Sequence, residues 1–190
     1  MGRLMMGVNA SPNRQALAAL DLQPGDKVLE IGFGPGVALA EILRRSDGPH
    51  AGVDVSATMV GMATRRNREA VRAGRLTLVH GPATTLPWRD HSFDKALLVN
   101  VLYFTESSAL DLLEARRVLR PGGVLVAYVT DRSTMRRWPF AQEDTHRHFD
   151  AAGLRSTLAL AGFEPDRVAI RPLALPLGVI GLLAVASTPP

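Results

Sequence analysis

Short runs of apolar and β-branched residues alternate along this chain with stretches whose apolar positions recur at helical spacing. A helix is predicted near Asn13 to Leu20, ended by Pro24-Gly25, and a first strand from Lys27 to Ile31. Val37 to about Arg45 reads as a helix, Ala51 to Val55 as a second strand, and Ser56 as the cap of a helix carrying Met59 and Met62. The third strand is Leu76 to His80, and the fourth Lys95 to Asn100. Ser108 with Asp111 forms a capping-box pattern for a helix reaching Leu119. Pro121-Gly122-Gly123 turns into a fifth strand, Val124 to Thr130. After a helix near Ala151 to Ala161, Arg167 to Leu173 and Val179 to Ala186 read as two strands joined by a short Pro/Gly turn. Such alternation predicts an α/β fold: a doubly wound parallel sheet with helices on both faces and a ligand site at the carboxyl ends of the strands.

The first strand runs into Gly32-Phe33-Gly34-Pro35-Gly36, and the second ends in Asp54. Alternate glycines let a backbone turn sharply and lie against a ligand where a Cβ would collide, while an acid ending the next strand can accept from the hydroxyls of a ribose. The spacing excludes a dinucleotide loop. Val37 stands where the third glycine of that pattern belongs, and Pro35 has no N–H to offer a pyrophosphate. Glu30 would repel phosphates but suits a ligand with an amino group and a sulfonium, which points to an adenosyl cofactor.

Together with Gly81-Pro82-Ala83 before Leu86-Pro87-Trp88, then Phe93-Asp94-Lys95-Ala96 and Leu119-Arg120-Pro121-Gly122-Gly123, these motifs resemble a class I S-adenosylmethionine-dependent methyltransferase of the ubiquinone/menaquinone type, from about Leu22 to Ala186. The resemblance implies a Rossmann-like, seven-stranded sheet in the order 3-2-1-4-5-7-6 with its last strand antiparallel. It also implies S-adenosylmethionine as cofactor and S-adenosylhomocysteine as product. Gly32, Gly34 and Gly36 would line the methionine and ribose portions, and Glu30 would act on the amino group. Asp54 would bind the ribose, Val55 and Met59 would pack on the adenine, Ala83 would give its N–H to the ring, and Asn100 would meet the methionine end. Pro82 departs from the family, which has Asp or Asn there to pair with the adenine amino group. Asn100-Val101-Leu102-Tyr103 matches the Asn-Pro-Pro-Tyr of nucleic-acid N-methyltransferases in its first and last members, which argues against base methylation.

A chain of 190 residues makes one domain and leaves substrate selection to loops. With no cysteine there is no disulfide framework, no thiolate metal cluster and no thiol nucleophile of the kind that C5-pyrimidine methyltransferases use. No secretory signal opens the sequence, so a cytoplasmic protein is expected. The stretch from Pro172 to Pro190 carries no charge, but Pro176, Gly178 and Gly181 interrupt it, and it reads as a sheet hairpin rather than a membrane span. Arg65, Arg66, Arg68 and Arg72 fall on one predicted helix with Glu69, as a solvated face or as an attraction to nucleic acid or anionic lipid.

Asp131 to Asp150 stands outside the alternating plan and is expected to form a lid over the cofactor, with Trp138, Phe140 and Phe149 interleaved with arginines and histidines. Tyr103, His146 and His148 are the candidates for a catalytic group, and no metal-ligand spacing is present. The expected reaction is methyl transfer to a small, apolar metabolite or lipid, with peripheral lipid contact but no transmembrane segment. A nucleic-acid methyltransferase and a non-catalytic cofactor-binding module remain the alternatives.

Overall fold

The structure, a computed structural model, describes residues 2–104, 109–141 and 146–190, with side chains from residue 11 onward. Seven strands form one sheet: β1 Val28–Ile31, β2 His50–Asp54, β3 Leu76–His80, β4 Phe93–Val99, β5 Leu119–Thr130, β6 Val168–Leu175 and β7 Val179–Ser187. Their order is β3-β2-β1-β4-β5-β7-β6, parallel from β3 through β5, with β7 antiparallel to both neighbours. This is the expected fold class. Helices α1 Gly2–Ala19, α2 Val37–Arg45, α3 Ala57–Arg66, α4 Arg68–Arg72, α5 Leu110–Val118, α6 Arg132–Met135 and α7 Ala151–Leu160 connect or precede the strands.

Every residue of β1 and β2 is buried, as central parallel strands covered on both faces require. On one face, Leu112 and Ala115 of α5, Leu154 and Leu158 of α7 and Met135 of α6 pack on Leu29, Ile31, Leu98 and Leu125. On the other, Ala16 and Leu17 of α1 and Ala38 and Ile42 of α2 cover Val28, Leu97 and Val126. Apolar positions recurring every three to four residues supply both helix faces.

The helix expected to carry all the arginines is instead two. Asn67 breaks it, because its buried amide donates to Gly36 O at 3.2 Å and to Ala63 O at 3.1 Å, and its backbone leaves helical geometry (φ −109°, ψ 26°). β5 starts earlier than expected, since Leu119 pairs with Phe93 before an irregularity between Phe93 and Lys95 shifts the register. Gly122, at φ +70°, takes the turn within it. Ser108 of the proposed capping box lies outside the described residues. Among the described residues no helix is long and apolar enough to cross a membrane.

The segment expected as a lid is tied down at both ends. Asp131 bridges Phe149, Arg132 N–H donates to Phe149 O at 2.7 Å, and Met135, Ala141 and Phe149 enter the main core. Phe149 is therefore a core residue with the Arg147 guanidinium 4.9 Å above its ring, not part of an exposed aromatic lining. Trp138 and Phe140 remain at the surface side, stacked at 5.4 Å.

Candidate cofactor site at the carboxyl edge

The parallel register carries the ends of β1, β2, β3 and β4 to one edge. Gly32 N–H donates to Val53 O at 2.8 Å, Gly81 N–H to Asp54 O at 3.0 Å, and Asn100 N–H to Tyr128 O at 3.0 Å. All three glycines of the first loop have positive φ, at +68° for Gly32, +53° for Gly34 and +74° for Gly36. They serve different ends. A Cβ on Gly32 would strike the Val101 side chain, and one on Gly36 would come within 2.8 Å of Ala63 Cβ and of Asn67 Nδ2, so both let elements approach closely. Gly34 faces open space, with no atom within 4 Å of the position a Cβ would take. It is the member of the loop left open to a ligand.

Asp54 closes this loop from beneath. Its Oδ2 accepts from Gly34 N–H at 2.8 Å and its Oδ1 from Ser56 N–H at 2.9 Å, which leaves lone pairs on each oxygen for ribose hydroxyls. Ser56 Oγ in turn accepts from Met59 N–H and caps α3. Sequence reasoning missed two supports on that helix. Arg66 Nε donates to Pro35 O at 2.9 Å and Asn67 holds Gly36 O, so part of the arginine row grips the glycine loop rather than simply facing solvent.

Glu30 is buried at the end of β1, and its Oε2 has no hydrogen-bond partner. Loss of solvation, reinforced by the nearby Asp54 charge and opposed by a Leu39 backbone hydrogen bond, pushes its pKa up to about 8. A buried carboxyl oxygen without a partner costs stability unless something completes it, and a ligand ammonium is the complementary group.

Val55 leaves β2 with 71% of its surface exposed, Met59 is half-buried, and His80 is hydrogen-bonded to Val55 O at 3.0 Å. Beside them Pro82 is exposed and Ala83 half-buried against the core. The following Leu86-Pro87-Trp88 is fixed by α5: Glu114 accepts from Leu86 N–H at 2.8 Å, and Arg117 donates to Leu86 O at 3.1 Å and Trp88 O at 2.9 Å. Glu114 and Arg117 were not singled out in the sequence, because a helical Glu/Arg pair at this spacing reads as a surface ion pair.

Asn100 ends β4 at φ +60°, and Tyr103 follows in a one-turn 3-10 helix, Leu102–Phe104. The Tyr103 hydroxyl donates to Asn100 Oδ1 at 2.8 Å and accepts from Thr130 N–H, so its single proton is engaged in joining β4 to β5. Burial raises its pKa further. His148 Nε2 lies 2.8 Å from Ala141 O and must carry the proton there, because a carbonyl cannot donate. The Tyr103 hydroxyl thus joins β4 to β5, whereas the bond from His148 fixes its tautomer and leaves Nδ1 as the basic nitrogen. The His146 ring lies 4.9 Å from the Phe104 ring, tilted at 59° to it.

These residues fit an S-adenosylmethionine: an open glycine cradle, a buried carboxyl with one unpartnered oxygen for the amino group, a second acid for the ribose and an exposed apolar shelf for the adenine. The comparisons agree. Residues 29–127 match the methyltransferase domain family. The chain is 32% identical over 123 residues to the uncharacterized methyltransferase YdaC of Bacillus subtilis, covering 64% of this chain and 66% of that protein. It is 35% identical over 138 residues to the demethylmenaquinone methyltransferase of Beutenbergia cavernae, covering 72% and 53%. The fold superposes with a TM-score of 0.79 on the Haemonchus contortus phosphoethanolamine N-methyltransferase 2 bound to S-adenosyl-L-methionine, at 13% identity over 95% of this chain and 53% of that one. The chain spans from about half to two thirds of the length of these relatives. With this sheet order, this loop and these relatives, the chain belongs to the methyltransferase domain family of class I S-adenosylmethionine-dependent methyltransferases.

Proposed function

We propose that the protein transfers a methyl group from S-adenosylmethionine to a small, apolar acceptor. The observation that carries the cofactor half is Glu30: a buried carboxyl with an unpartnered oxygen, near enough to Asp54 to feel its charge. When bound, the cofactor supplies an electrophilic methyl on a sulfonium. The protein's part is then positional, because holding donor and acceptor in line supplies roughly 7–11 kcal/mol of the barrier reduction. Glu30 would hold the amino group, Asp54 the ribose, and Val55 and Met59 the adenine. Pro82, lacking the family's polar side chain, would leave the adenine amino group with one hydrogen bond fewer.

The acceptor half rests on aromatic side chains carried by the segments that follow β4 and β5. Phe104 is 69% exposed and Phe140 64% exposed, stacked on Trp138. This is an apolar approach with His146 beside it as the candidate base. Similarity to a demethylmenaquinone methyltransferase supports the same substrate class. In the competing reading, with a nucleic acid as substrate, Arg65, Arg68 and Arg72 line a surface concavity with Thr64 and Val71. These arginines lie on α3 and α4 beside β3, whereas Asn100 lies at the end of β4, with β2 and β1 between them in the sheet. The small-molecule reading is therefore preferred.

The test is methyl transfer from labelled S-adenosylmethionine to a panel of apolar phenols and hydroquinones, with polar amines and RNA as competitors. Trp138→Ala with Phe140→Ala should impair turnover of the apolar acceptors and leave cofactor affinity nearly unchanged. Methylation of RNA alone would favour the second reading, and cofactor binding with no transfer to any acceptor would favour a non-catalytic module.

A further inference from the structure

The turn between β6 and β7 displays a leucine to solvent. Leu177 is 94% exposed and sits at φ +62°, a left-handed backbone that asparagine or glycine adopts with less strain. Neither packing nor backbone preference accounts for it. Because β6 runs parallel to β1 through β5, this turn rises at the carboxyl edge of the sheet, as do the segments after β4 and β5 that carry Phe104 and Phe140. Ile180, 41% exposed, follows the turn.

The turn and the segment after β5 form one structural unit. Arg137 Nη2 donates to Gly178 O at 2.7 Å, and Ile180 N–H donates to Thr134 Oγ1 at 2.9 Å. Among the described residues no carboxylate pairs with Arg137, so a cation stands at the base of the exposed leucine. From Pro172 to Pro190 the chain has no charge. An apolar knob with a cation at its base and no acid on the hairpin complements a surface with anionic headgroups above acyl chains.

We propose that this edge docks on an anionic lipid bilayer, with Leu177 and Phe140 entering the headgroup–acyl boundary and Arg137 meeting the headgroups. An apolar acceptor would then reach the site without crossing water. That last consequence rests on the acceptor reading above; the docking does not.

Flotation of the full chain with vesicles of phosphatidylcholine, alone or mixed with phosphatidylglycerol, tests it. The expected result is salt-sensitive binding to the phosphatidylglycerol vesicles. Leu177→Asn, which suits the left-handed backbone and should fold normally, is expected to lower that binding about tenfold. Arg137→Gln should lower it about fivefold on the anionic vesicles and leave binding to phosphatidylcholine unchanged. Cofactor titration of both variants should match the parent and confirms that they are folded. No flotation with either vesicle, or equal flotation of parent and Leu177→Asn, overturns the proposal. So does Leu177-dependent self-association by light scattering without vesicle binding. Transfer to a water-soluble acceptor, assayed without vesicles, tests the acceptor reading separately, so failure of one reading is distinguishable from failure of the other.

Discussion

Asp54 Oδ2 accepts a 2.8 Å hydrogen bond from Gly34 N–H, so the acid assigned to the cofactor's ribose also locks the loop that would hold the rest of the cofactor. Asp54→Ala is expected to weaken S-adenosylmethionine binding by about 1.5–3 kcal/mol and, by freeing the Gly34 and Ser56 N–H groups, to lower stability by about 1–2 kcal/mol. Calorimetric titration and thermal unfolding of the same samples measure both. A variant that loses stability but keeps its affinity would assign Asp54 to the loop alone.

Glu30 links both folding and binding to protons. Its folded pKa of about 8 lies above the ordinary value of 4.5, so the unfolded chain releases this proton first. The ligand-free protein should be most stable below about pH 4.5 with respect to this group and lose stability as pH rises to about 8, by at most about 5 kcal/mol. Glu30→Gln should flatten that decline and bind the cofactor more weakly. In the parent protein, binding near pH 7 should release about one proton, seen as a dependence of the binding enthalpy on the buffer's ionisation heat. Buffer-independent enthalpy would mean that Glu30 does not meet the ammonium.

Pro82→Asp should restore an acceptor for the adenine amino group and tighten cofactor binding by about 1 kcal/mol. Weaker binding by a folded variant would show instead that Pro82 shapes the approach to Ala83.

Tyr103→Phe removes the hydroxyl that joins Asn100 Oδ1 to Thr130 N–H and leaves a buried N–H unpaired. The expected loss is about 1–3 kcal/mol of stability by chemical denaturation, with kcat nearly unchanged well below the unfolding transition. A large fall in kcat at unchanged stability would return Tyr103 to the reacting atoms.

Much of the fold and the loop is local information. The run Val28 to Ile31 and the alternating glycines specify a buried strand and a tight turn from neighbouring residues alone. The β/α alternation then fixes a parallel sheet whose strand ends share one edge. Pro35 and the glycine spacing likewise decided against a pyrophosphate from chemistry that needs no partner. What the loop rests on is not local: Asn67 reaches Gly36 and Arg66 reaches Pro35 across 31 residues. In the sequence both look like surface positions on a charged helix, because nothing nearby announces that α3 will end against that loop. Tyr103 has the functional group of a catalyst, and packing engages its hydroxyl between Asn100 and Thr130; the Ala141 carbonyl likewise selects which nitrogen of His148 carries the proton. The buried end of the segment after β5 followed the same logic. A residue type states which bonds it can make, and the folded chain decides which partners are close enough to make them first.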